Sequence, residues 1–288
     1  MPHTETEEKP SSLAEMAARL PLGEVSEYPT TYDPGVLRAV PRALGRAPLG
    51  LRAEALPFTG ADLWRAWEVS WRGPGGKPAI GVAELEVPAT SPALIESKSL
   101  KLYLGSLNNH RVSGVQVLAS LIAEDLAVIA GAPVGVRIIP AEALHELAPA
   151  PLEGLSLDVL ELAEAPPTDV DPALLRLRGG AEVEQVLVSQ LFRSLCPITG
   201  QPDWASVRVA YRGLEIAGEP LLRYLLSFRE HGGFHEACVE QIFSDVLERC
   251  APRELTVQAC FTRRGGIDIN PWRSTGESPP RVPRPWRS

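Results

Sequence analysis

The spacing of apolar residues in the first half of the chain predicts a mixture of strands and helices. Alternating apolar and polar residues are typical of half-buried strands, whereas apolar residues three or four positions apart are typical of helices. The pattern predicts strands at Leu63–Trp71, Ile80–Val87 and Val134–Ile139, and a helix at Val112–Ala130. The segment 73–76, Gly-Pro-Gly-Gly, predicts a hairpin turn between the first two strands.

The same kind of pattern starts again in the second half. It predicts strands at Val183–Leu191 and Ser206–Tyr211, helices at Glu219–Phe228 and His235–Cys250, and a strand at Leu255–Thr262. Each half thus contains strands, then helices, then a strand. This order predicts an α+β fold with antiparallel pairing.

The remaining segments predict little regular structure. Residues 1–20 are expected to form a flexible acidic tail, and residues 28–50 are interrupted by Pro, Gly and Arg. Residues 140–172 predict a connector with a short strand near Leu155–Leu160. The chain from Pro271 onwards is rich in Pro, Arg and Trp, and we expect it to be irregular.

A short segment occurs twice in related form. The segment 56–60, Leu-Pro-Phe-Thr-Gly, precedes the segment 196–200, Cys-Pro-Ile-Thr-Gly, by 140 residues. A period of this length is too long for a solenoid and indicates a duplicated domain. We therefore predict two modules, at 21–150 and 151–288.

The two segments differ at the positions that can carry chemistry. In the 140-residue register, Leu56 and Leu63 stand where the second copy has Cys196 and Asp203. Because both positions differ together, we interpret Cys196 and Asp203 as a pair with a shared role that only the second module retains.

Composition narrows the classes of function. The chain has 288 residues, 44% of them hydrophobic, and a net charge of −8. An acidic protein is a poor match for a large nucleic-acid surface, so we expect no nucleic-acid partner. No apolar run is long enough to span a membrane, and the acidic N-terminus lacks the pattern of a signal peptide. We therefore expect a cytoplasmic protein without membrane contact.

The segment 196–204, Cys-Pro-Ile-Thr-Gly-Gln-Pro-Asp-Trp, contains a candidate nucleophile. A thiol on a turn rich in Pro and Gly lies seven residues before a carboxylate, and these two groups suit nucleophilic attack and proton transfer. The alternative is a buried structural cysteine, since cysteine is among the most buried residue types.

Two further clusters can bind a ligand. The segment 96–103, Glu-Ser-Lys-Ser-Leu-Lys-Leu-Tyr, combines a carboxylate, a hydroxyl and an ammonium group at a predicted strand-to-helix junction. Such a helix start can bind an anion, or it can be a capped, solvated helix start. Arg263-Arg264-Gly265-Gly266 ends the last predicted strand and suits a phosphate, or else forms an ordinary basic turn.

The start of the last predicted helix contains further polar residues. His231, His235 and Cys238 have a spacing that a metal site could use, although Gly232 and Gly233 interrupt the helix that would align them. Glu236 can cap the helix, or it can accept paired N–H groups from a guanine-like ring.

Four motifs in order resemble one family, the NADPH-dependent 7-cyano-7-deazaguanine reductases of queuosine biosynthesis, in their long form. The motifs are Glu-Ser-Lys-Ser-Leu-Lys-Leu-Tyr at 96–103, Cys-Pro-x-Thr-x-Gln-Pro-Asp-Trp at 196–204, Phe-His-Glu at 234–236 and Thr-Arg-Arg-Gly-Gly-x-Asp-Ile-Asn-Pro at 262–271. The resemblance implies tandem tunnelling-fold (T-fold) modules with antiparallel sheets and helices on one face. It also implies a homodimer that reduces a nitrile to an aminomethyl group with two NADPH through a covalent thioimide.

The resemblance also implies a role for individual residues. Cys196 corresponds to the nucleophile and Asp203 to the proton donor. The implied substrate contacts are Ile95, Glu96, Ser97, His235 and Glu236. The implied NADPH contacts are Ser97, Lys98, Arg264 and Gly265, and no metal is expected.

Two other functions remain open from the residues alone. The first is a metal-dependent tunnelling-fold hydrolase of a purine or pterin, with His231, His235 and Cys238 as ligands. The second is a purine-binding module without catalytic activity.

Overall fold

The computed structural model describes residues 27–276 and 284–286, so the predicted tail at 1–20 lies outside the described residues. The described part is an α+β structure. Its strands are β1 (Ala39–Pro41), β2 (Thr59–Arg72), β3 (Pro78–Pro88), β4 (Ala93–Ile95), β5 (Gly135–Pro140), β6 (Leu155–Ser156), β7 (Leu177–Leu195), β8 (Pro202–Ile216), β9 (Glu254–Phe261) and β10 (Ile267–Ser274). Its α-helices are α1 (Ala43–Arg46), α2 (Ser97–Ser106), α3 (Val115–Ala130), α4 (Gly218–Ser227) and α5 (His235–Cys250).

Eight strands form one sheet in the order β5-β3-β2-β10-β9-β8-β7-β6. All neighbouring strands are antiparallel except β6 and β7, and β1 and β4 form a separate two-stranded sheet. The last strand, β10, inserts between β2 and β9 and therefore joins the hairpin of the first half to the strands of the second half.

Two hydrophobic cores lie between the sheet and the helices. The first packs β2 and β3 against α2 and α3, with Trp64, Leu85 and Ile122 all nearly inaccessible to solvent. The second packs β7, β8 and β9 against α4 and α5, with Val209 and Phe243 among its buried residues. Because each helix buries one apolar stripe, the two helix pairs cover the sheet as separate units.

The alternation of side chains along β10 shows that both helix pairs cover the same face of the sheet. Ile267 and Ile269 pack into the first core. Side chains two residues apart point to the same face, so Arg273 shares that face, and its guanidinium group hydrogen-bonds Glu240 of α5.

A buried ion network fixes this arrangement. Arg273 donates to Glu240 on α5 at 2.8 Å and lies 2.9 Å from Asp62 on β2. Arg42 pairs with Asp62 at 2.5 Å, and Arg46 pairs with Glu240 at 2.7 Å. All five side chains are nearly inaccessible, so the three guanidinium groups and the two carboxylates must compensate one another.

The structure confirms most of the predicted elements and contradicts others. The helices at Glu219–Phe228 and His235–Cys250 and the hairpin around 73–76 are confirmed, and the helix predicted from Val112 begins at Val115. The strand predicted at Leu155–Leu160 is reduced to two residues. The expectation that the chain is irregular from Pro271 is wrong for residues 271–274, because β10 continues to Ser274 in the centre of the sheet. Residues 277–283 and 287–288 of that segment lie outside the described residues.

The 140-residue register of the repeat is also wrong. In that register β2 would correspond to β8, but β2 is the first strand of its hairpin and β8 is the second of its own. The structural repeat is shorter than 140 residues. The helices α3 and α5 both have 16 residues, and each is followed by a residue with left-handed backbone conformation, so we take them as equivalent. Their first residues, Val115 and His235, define the spacing of the repeat.

The corrected register changes the counterparts of the candidate site residues. β2 ends at Arg72 and β7 ends at Leu195, and these residues pair with Pro78 and Pro202 at the starts of β3 and β8. In the corrected register, the counterpart of Cys196 is Gly73, that of Asp203 is Ala79 and that of Glu236 is Gln116. In this register the thiol and the two carboxylates have no equivalents in the first half, and Leu56 and Leu63 are not their counterparts. A shared role for Cys196 and Asp203 stays a prediction.

Within the described residues, every helix is too short or too polar to cross a membrane.

Replacing Arg273 with alanine is expected to destabilise the protein strongly. The substitution leaves Asp62 and Glu240 buried with less compensating charge, and removing one partner of a buried ion pair typically costs about 3–5 kcal/mol. Chemical denaturation followed by circular dichroism measures the change.

The matched control is Arg212→Ala, because Arg212 forms an exposed pair with Glu254. Exposed pairs contribute about 0–1 kcal/mol, so this variant should unfold close to the parent protein. Equal losses in the two variants would contradict a structural role for the buried network.

Candidate active site

The carboxylate of Glu96 caps the start of α2. β4 ends at Ile95, and the Glu96 side chain accepts hydrogen bonds from the backbone N–H groups of Lys98 and Ser99, both at 2.7 Å. Such bonds satisfy two of the four donors that a helix leaves free at its N-terminus. The predicted strand-to-helix junction is confirmed, and it fixes the backbone of Ile95, Glu96 and Ser97.

Cys196 lies in a closed turn between β7 and β8. Its N–H donates to the carbonyl of Gln201 at 2.8 Å, and its own carbonyl accepts from the N–H of Gly200 at 2.9 Å. The preceding residue, Leu195, makes backbone hydrogen bonds with His231 and Gly233 just before α5. The thiol is thus held beside the start of α5, with 5% of the residue exposed.

Asp203 lies near the start of β8 and is buried between two basic side chains. Its Oδ1 lies 3.0 Å from Nη2 of Arg264, and its Oδ2 lies 3.3 Å from Nε2 of His235. The His235 ring stacks on Phe261 with a centroid separation of 3.8 Å and an angle of 9° between the planes. These contacts give the carboxylate one orientation and place a proton-carrying ring next to it.

Glu236 is a buried carboxylate in the first turn of α5. Burial and, after it, the negative charge of Asp62 raise its pKa to about 7, although His235 and Arg42 act in the opposite direction. At neutral pH this group therefore exchanges a proton easily. It can accept two N–H groups of a planar ligand when it is ionised.

One pocket brings together eight of the ten predicted site residues. They are Ile95, Glu96, Ser97, Cys196, Asp203, His235, Glu236 and Arg264. The first three come from the first half of the chain and the other five from the second. The pocket therefore lies at the junction of the two halves.

The pocket also has lining residues that the sequence reasoning did not predict as site residues. These are Val40, Trp64, Leu94, Pro197, Gly233, Phe234 and Ile269. Leu94, Pro197 and Phe234 are direct neighbours of predicted residues, and Gly233 lies two positions before His235, so this proximity could have indicated them. Ile269 lies within the motif at 262–271, which could also have indicated it. Val40 has no such signal, because only the tertiary structure brings it to the pocket.

The other two predicted residues, Lys98 and Gly265, line a neighbouring cavity of about 440 Å³. Lys101 lines it as well, and burial followed by the charge of Arg264 lowers the pKa of its ammonium group. Gly265 has φ +55°, and a Cβ there would lie 2.6 Å from Nζ of Lys101. Two lysines and a glycine backbone suit a phosphate group, and the carboxylate of Glu68 lines the same cavity beside Lys101.

The metal site considered from the sequence finds no support. Within residues 27–276 and 284–286, no group of three His, Cys, Asp or Glu side chains is arranged to hold a metal ion. Burial raises the pKa of Cys238 to about 12, so its thiol stays protonated and is a poor ligand. His235 instead faces Asp203 and stacks on Phe261.

Two family models match the chain. One, described as nitrile reductase, 7-cyano-7-deazaguanine-reductase N-term, matches residues 28–138. The other, described as QueF-like protein, matches residues 202–280. The two matches cover both halves of the sheet and define the class as that of the nitrile reductases.

Named relatives agree with this class. The chain is 51% identical over 260 residues to the NADPH-dependent 7-cyano-7-deazaguanine reductase of Bordetella pertussis. The aligned region covers 90% of this chain and 94% of that protein. It is also 51% identical over 262 residues to the reductase of that name from Xanthomonas campestris pv. campestris, covering 90% and 93%. The chain belongs to the family of the NADPH-dependent 7-cyano-7-deazaguanine reductases.

A solved structure, the archaeosine synthase QueF-Like in the apo form, is 20% identical with a TM-score of 0.30. The superposed region covers 35% of this chain and 100% of that chain. The TM-score is too low for this similarity to support a fold assignment.

Replacing Glu236 with glutamine is expected to stabilise the protein increasingly as the pH rises. The pKa of Glu236 is raised in the folded state, so the protonated side chain stabilises the folded protein. This contribution to the free energy of unfolding is fully present below about pH 4.5 and is lost as the pH rises through about 7. Glutamine does not titrate and avoids this loss. The melting temperatures of the two proteins, measured from pH 5 to pH 8, should diverge in favour of Glu236→Gln.

A constant difference in melting temperature over this range would contradict a raised pKa for Glu236. Glu230→Gln is a suitable control, because Glu230 is largely exposed and pairs with Arg193 at the surface.

Proposed function

We propose that the protein reduces the nitrile of 7-cyano-7-deazaguanine to the primary amine of 7-aminomethyl-7-deazaguanine, as a step of queuosine synthesis. The reaction takes up two NADPH and two protons and releases two NADP⁺ for each nitrile. The names of the relatives support the substrate and the cofactor. The observation that carries the proposal is that Cys196 and Asp203 line the same pocket as Glu96 and Glu236.

In the proposed mechanism, Cys196 forms a covalent bond to the substrate. Its sulfur adds to the electrophilic nitrile carbon and gives a thioimide, while Asp203 accepts the thiol proton and passes it to the nitrile nitrogen. The ion pair with Arg264 and the contact with His235 hold Asp203 in place for this transfer.

The thioimide is then reduced in two stages. When bound, NADPH supplies a hydride for each stage. After the first stage the tetrahedral adduct expels the thiolate of Cys196 and leaves an imine, and the second stage gives the amine. Cys196 is therefore regenerated in each turnover, and the buried pocket protects the imine from water.

Substrate recognition is assigned to both halves of the chain. Glu236 is proposed to accept the ring N–H and the exocyclic amine of the deazaguanine, since an ionised carboxylate offers two oxygens to two donors. Glu96 retains lone pairs beyond those used in capping α2, and we propose that it contacts the same ring together with Ile95, Ser97 and His235.

The neighbouring cavity fits the cofactor. Lys98 in this cavity and Arg264 in the pocket of Cys196 supply cationic donors for the phosphate groups, and Gly265 allows their close approach to the backbone. Ser97, the residue before Lys98, lines the pocket of Cys196. We propose that these four residues hold NADPH.

The same proposal extends to the assembly. The two halves would be tandem tunnelling-fold modules, 21–150 and 151–288, of a cytoplasmic homodimer that acts on a free deazapurine without contact with nucleic acid. The repeated order of strands and helices supports the modules, and the acidic composition supports a small-molecule substrate.

Cys196→Ala should abolish both the covalent adduct and the oxidation of NADPH. The wild-type protein mixed with the nitrile should gain the mass of one substrate, and with NADPH present it should consume two equivalents per nitrile. Intact-protein mass spectrometry and absorbance at 340 nm measure these quantities. The alanine variant lacks the only sulfur that lines the pocket in the described part of the chain.

Cys250→Ala is the matched control, because Cys250 is also buried but lies at the end of α5, outside the pocket. It should retain the adduct. Absence of an adduct in the wild-type protein would refute the covalent mechanism, and a ratio other than two would refute the complete reduction to the amine.

Asp203→Asn should slow turnover far more than it weakens substrate binding. The amide has the shape of the carboxylate but cannot carry the proton, and the loss of a general acid–base group typically costs about 10²–10⁴ in rate. The rate constant comes from single-turnover kinetics and the dissociation constant from a titration without NADPH. A rate within a few-fold of the wild type would remove Asp203 from the mechanism.

A further inference from the structure

The cavity beside the pocket of Cys196 extends along α2. Lys98, Lys101 and Gly105 line it at three successive turns of this helix, and Gly265 lines it close to the side chain of Lys101. Ser97, at the first position of α2, lines the pocket of Cys196 instead. The cavity therefore begins at the candidate active site and runs towards the C-terminal end of α2.

An aromatic residue from the N-terminal segment completes this cavity. Tyr28 is one of its lining residues, and 80% of this tyrosine is exposed to solvent. Single exposed apolar residues are common and by themselves indicate nothing. Tyr28 differs because it borders a cavity with several polar lining side chains, which are those of Lys98, Lys101, Glu68 and Asn108.

The structure holds the segment after Tyr28 firmly against the end of α2. The carbonyl of Thr30 accepts a hydrogen bond from Asn109 at 3.3 Å, and the N–H of Asp33 donates to Ser106 at 3.2 Å. The Tyr32 hydroxyl donates to Asp125 on α3 at 2.7 Å. These contacts place Tyr28 at the end of the cavity that lies far from Cys196.

The length of α2 decides which part of a dinucleotide would meet Tyr28. Ser97 and Gly105 are about 12 Å apart along the helix axis at 1.5 Å per residue. A nicotinamide that reduces a carbon bonded to Cys196 must lie at the Ser97 end. The phosphates then pass the lysines, and the adenine at the other end of the cofactor reaches the part of the cavity that Tyr28 borders.

We propose that Tyr28 stacks on the adenine ring of NADPH and is a cofactor-binding residue of this protein. This inference rests on the proposed function. The lysines can neutralise phosphate groups, but they offer no flat apolar surface to a base, whereas an exposed tyrosine ring does. Stacking would also bury a ring that is otherwise left in water.

Binding of cofactor fragments tests the proposal without measuring turnover. Isothermal titration of the wild-type protein with NADPH, with adenosine 2′,5′-bisphosphate and with reduced nicotinamide mononucleotide gives three dissociation constants. Tyr28→Ala should raise the constants for NADPH and for the adenosine bisphosphate by about 5-fold to 150-fold, the range for loss of one base–aromatic stack. The constant for the nicotinamide fragment should stay within about 2-fold.

Two further variants separate stacking from other effects. Tyr28→Phe keeps the ring and should bind NADPH within about 2-fold of the wild type, because stacking does not require the hydroxyl group. Trp286→Ala removes another exposed aromatic residue, one that does not line the cavity, and should leave all three constants unchanged. Melting temperatures close to that of the wild type would show that the variants are folded.

The possible failures are distinguishable. Unchanged NADPH binding in Tyr28→Ala, alongside tight binding by the wild type, would overturn the role of Tyr28 and leave the proposed reductase function intact. Weaker binding of the nicotinamide fragment alone would overturn the assignment to the adenine end. Absence of NADPH binding by the wild type would overturn both this inference and the proposed function.

Discussion

The ion network around Arg273 is the interaction on which the remaining structure depends. Its guanidinium group lies between Asp62 on β2 and Glu240 on α5, so one side chain ties together the central strand, the first hairpin and the last helix. Buried charges are costly unless they are compensated, and each member is therefore held in place by the others. Glu236 lies one helical turn before Glu240, so the network also determines where this carboxylate meets the pocket.

The charges of the network also affect the chemistry of Glu236. Asp62 raises the pKa of this carboxylate, while Arg42, the partner of Asp62, lowers it. Glu236 is therefore only partly ionised near neutral pH, whereas its neighbours Asp62 and Glu240 form ion pairs with arginines. A carboxylate that is costly to ionise when the pocket is empty gains most from a ligand with two N–H donors, because the ligand then supplies the missing hydrogen bonds.

The sequence predicted which residues share a pocket better than it predicted the order of the strands. Motif residues such as Cys196 and Asp203 could be predicted because few residue types perform their chemistry. The strand β10 could not, because Asp268, Asn270 and Arg273 make it polar and Pro271 interrupts its pattern. These polar groups are buried in the centre of the sheet and find their partners on other elements, as Asp268 does with Trp67. Tertiary contacts of this kind leave no local signal.

The corrected repeat explains why the residues proposed for chemistry form a pocket at the junction of the two halves and are not duplicated in each half. Equivalent tyrosine–aspartate hydrogen bonds persist in both halves, Tyr103 with Asp125 and Tyr224 with Asp245, since each joins the two helices of its own half. The helix that starts after Glu96 has its counterpart after Ala217, which carries no carboxylate. Residues that hold the fold are thus duplicated, whereas the residues proposed for chemistry occur once, where the first half meets the second. The pocket therefore depends on the pairing of β10 with β2, because that pairing brings the two halves together.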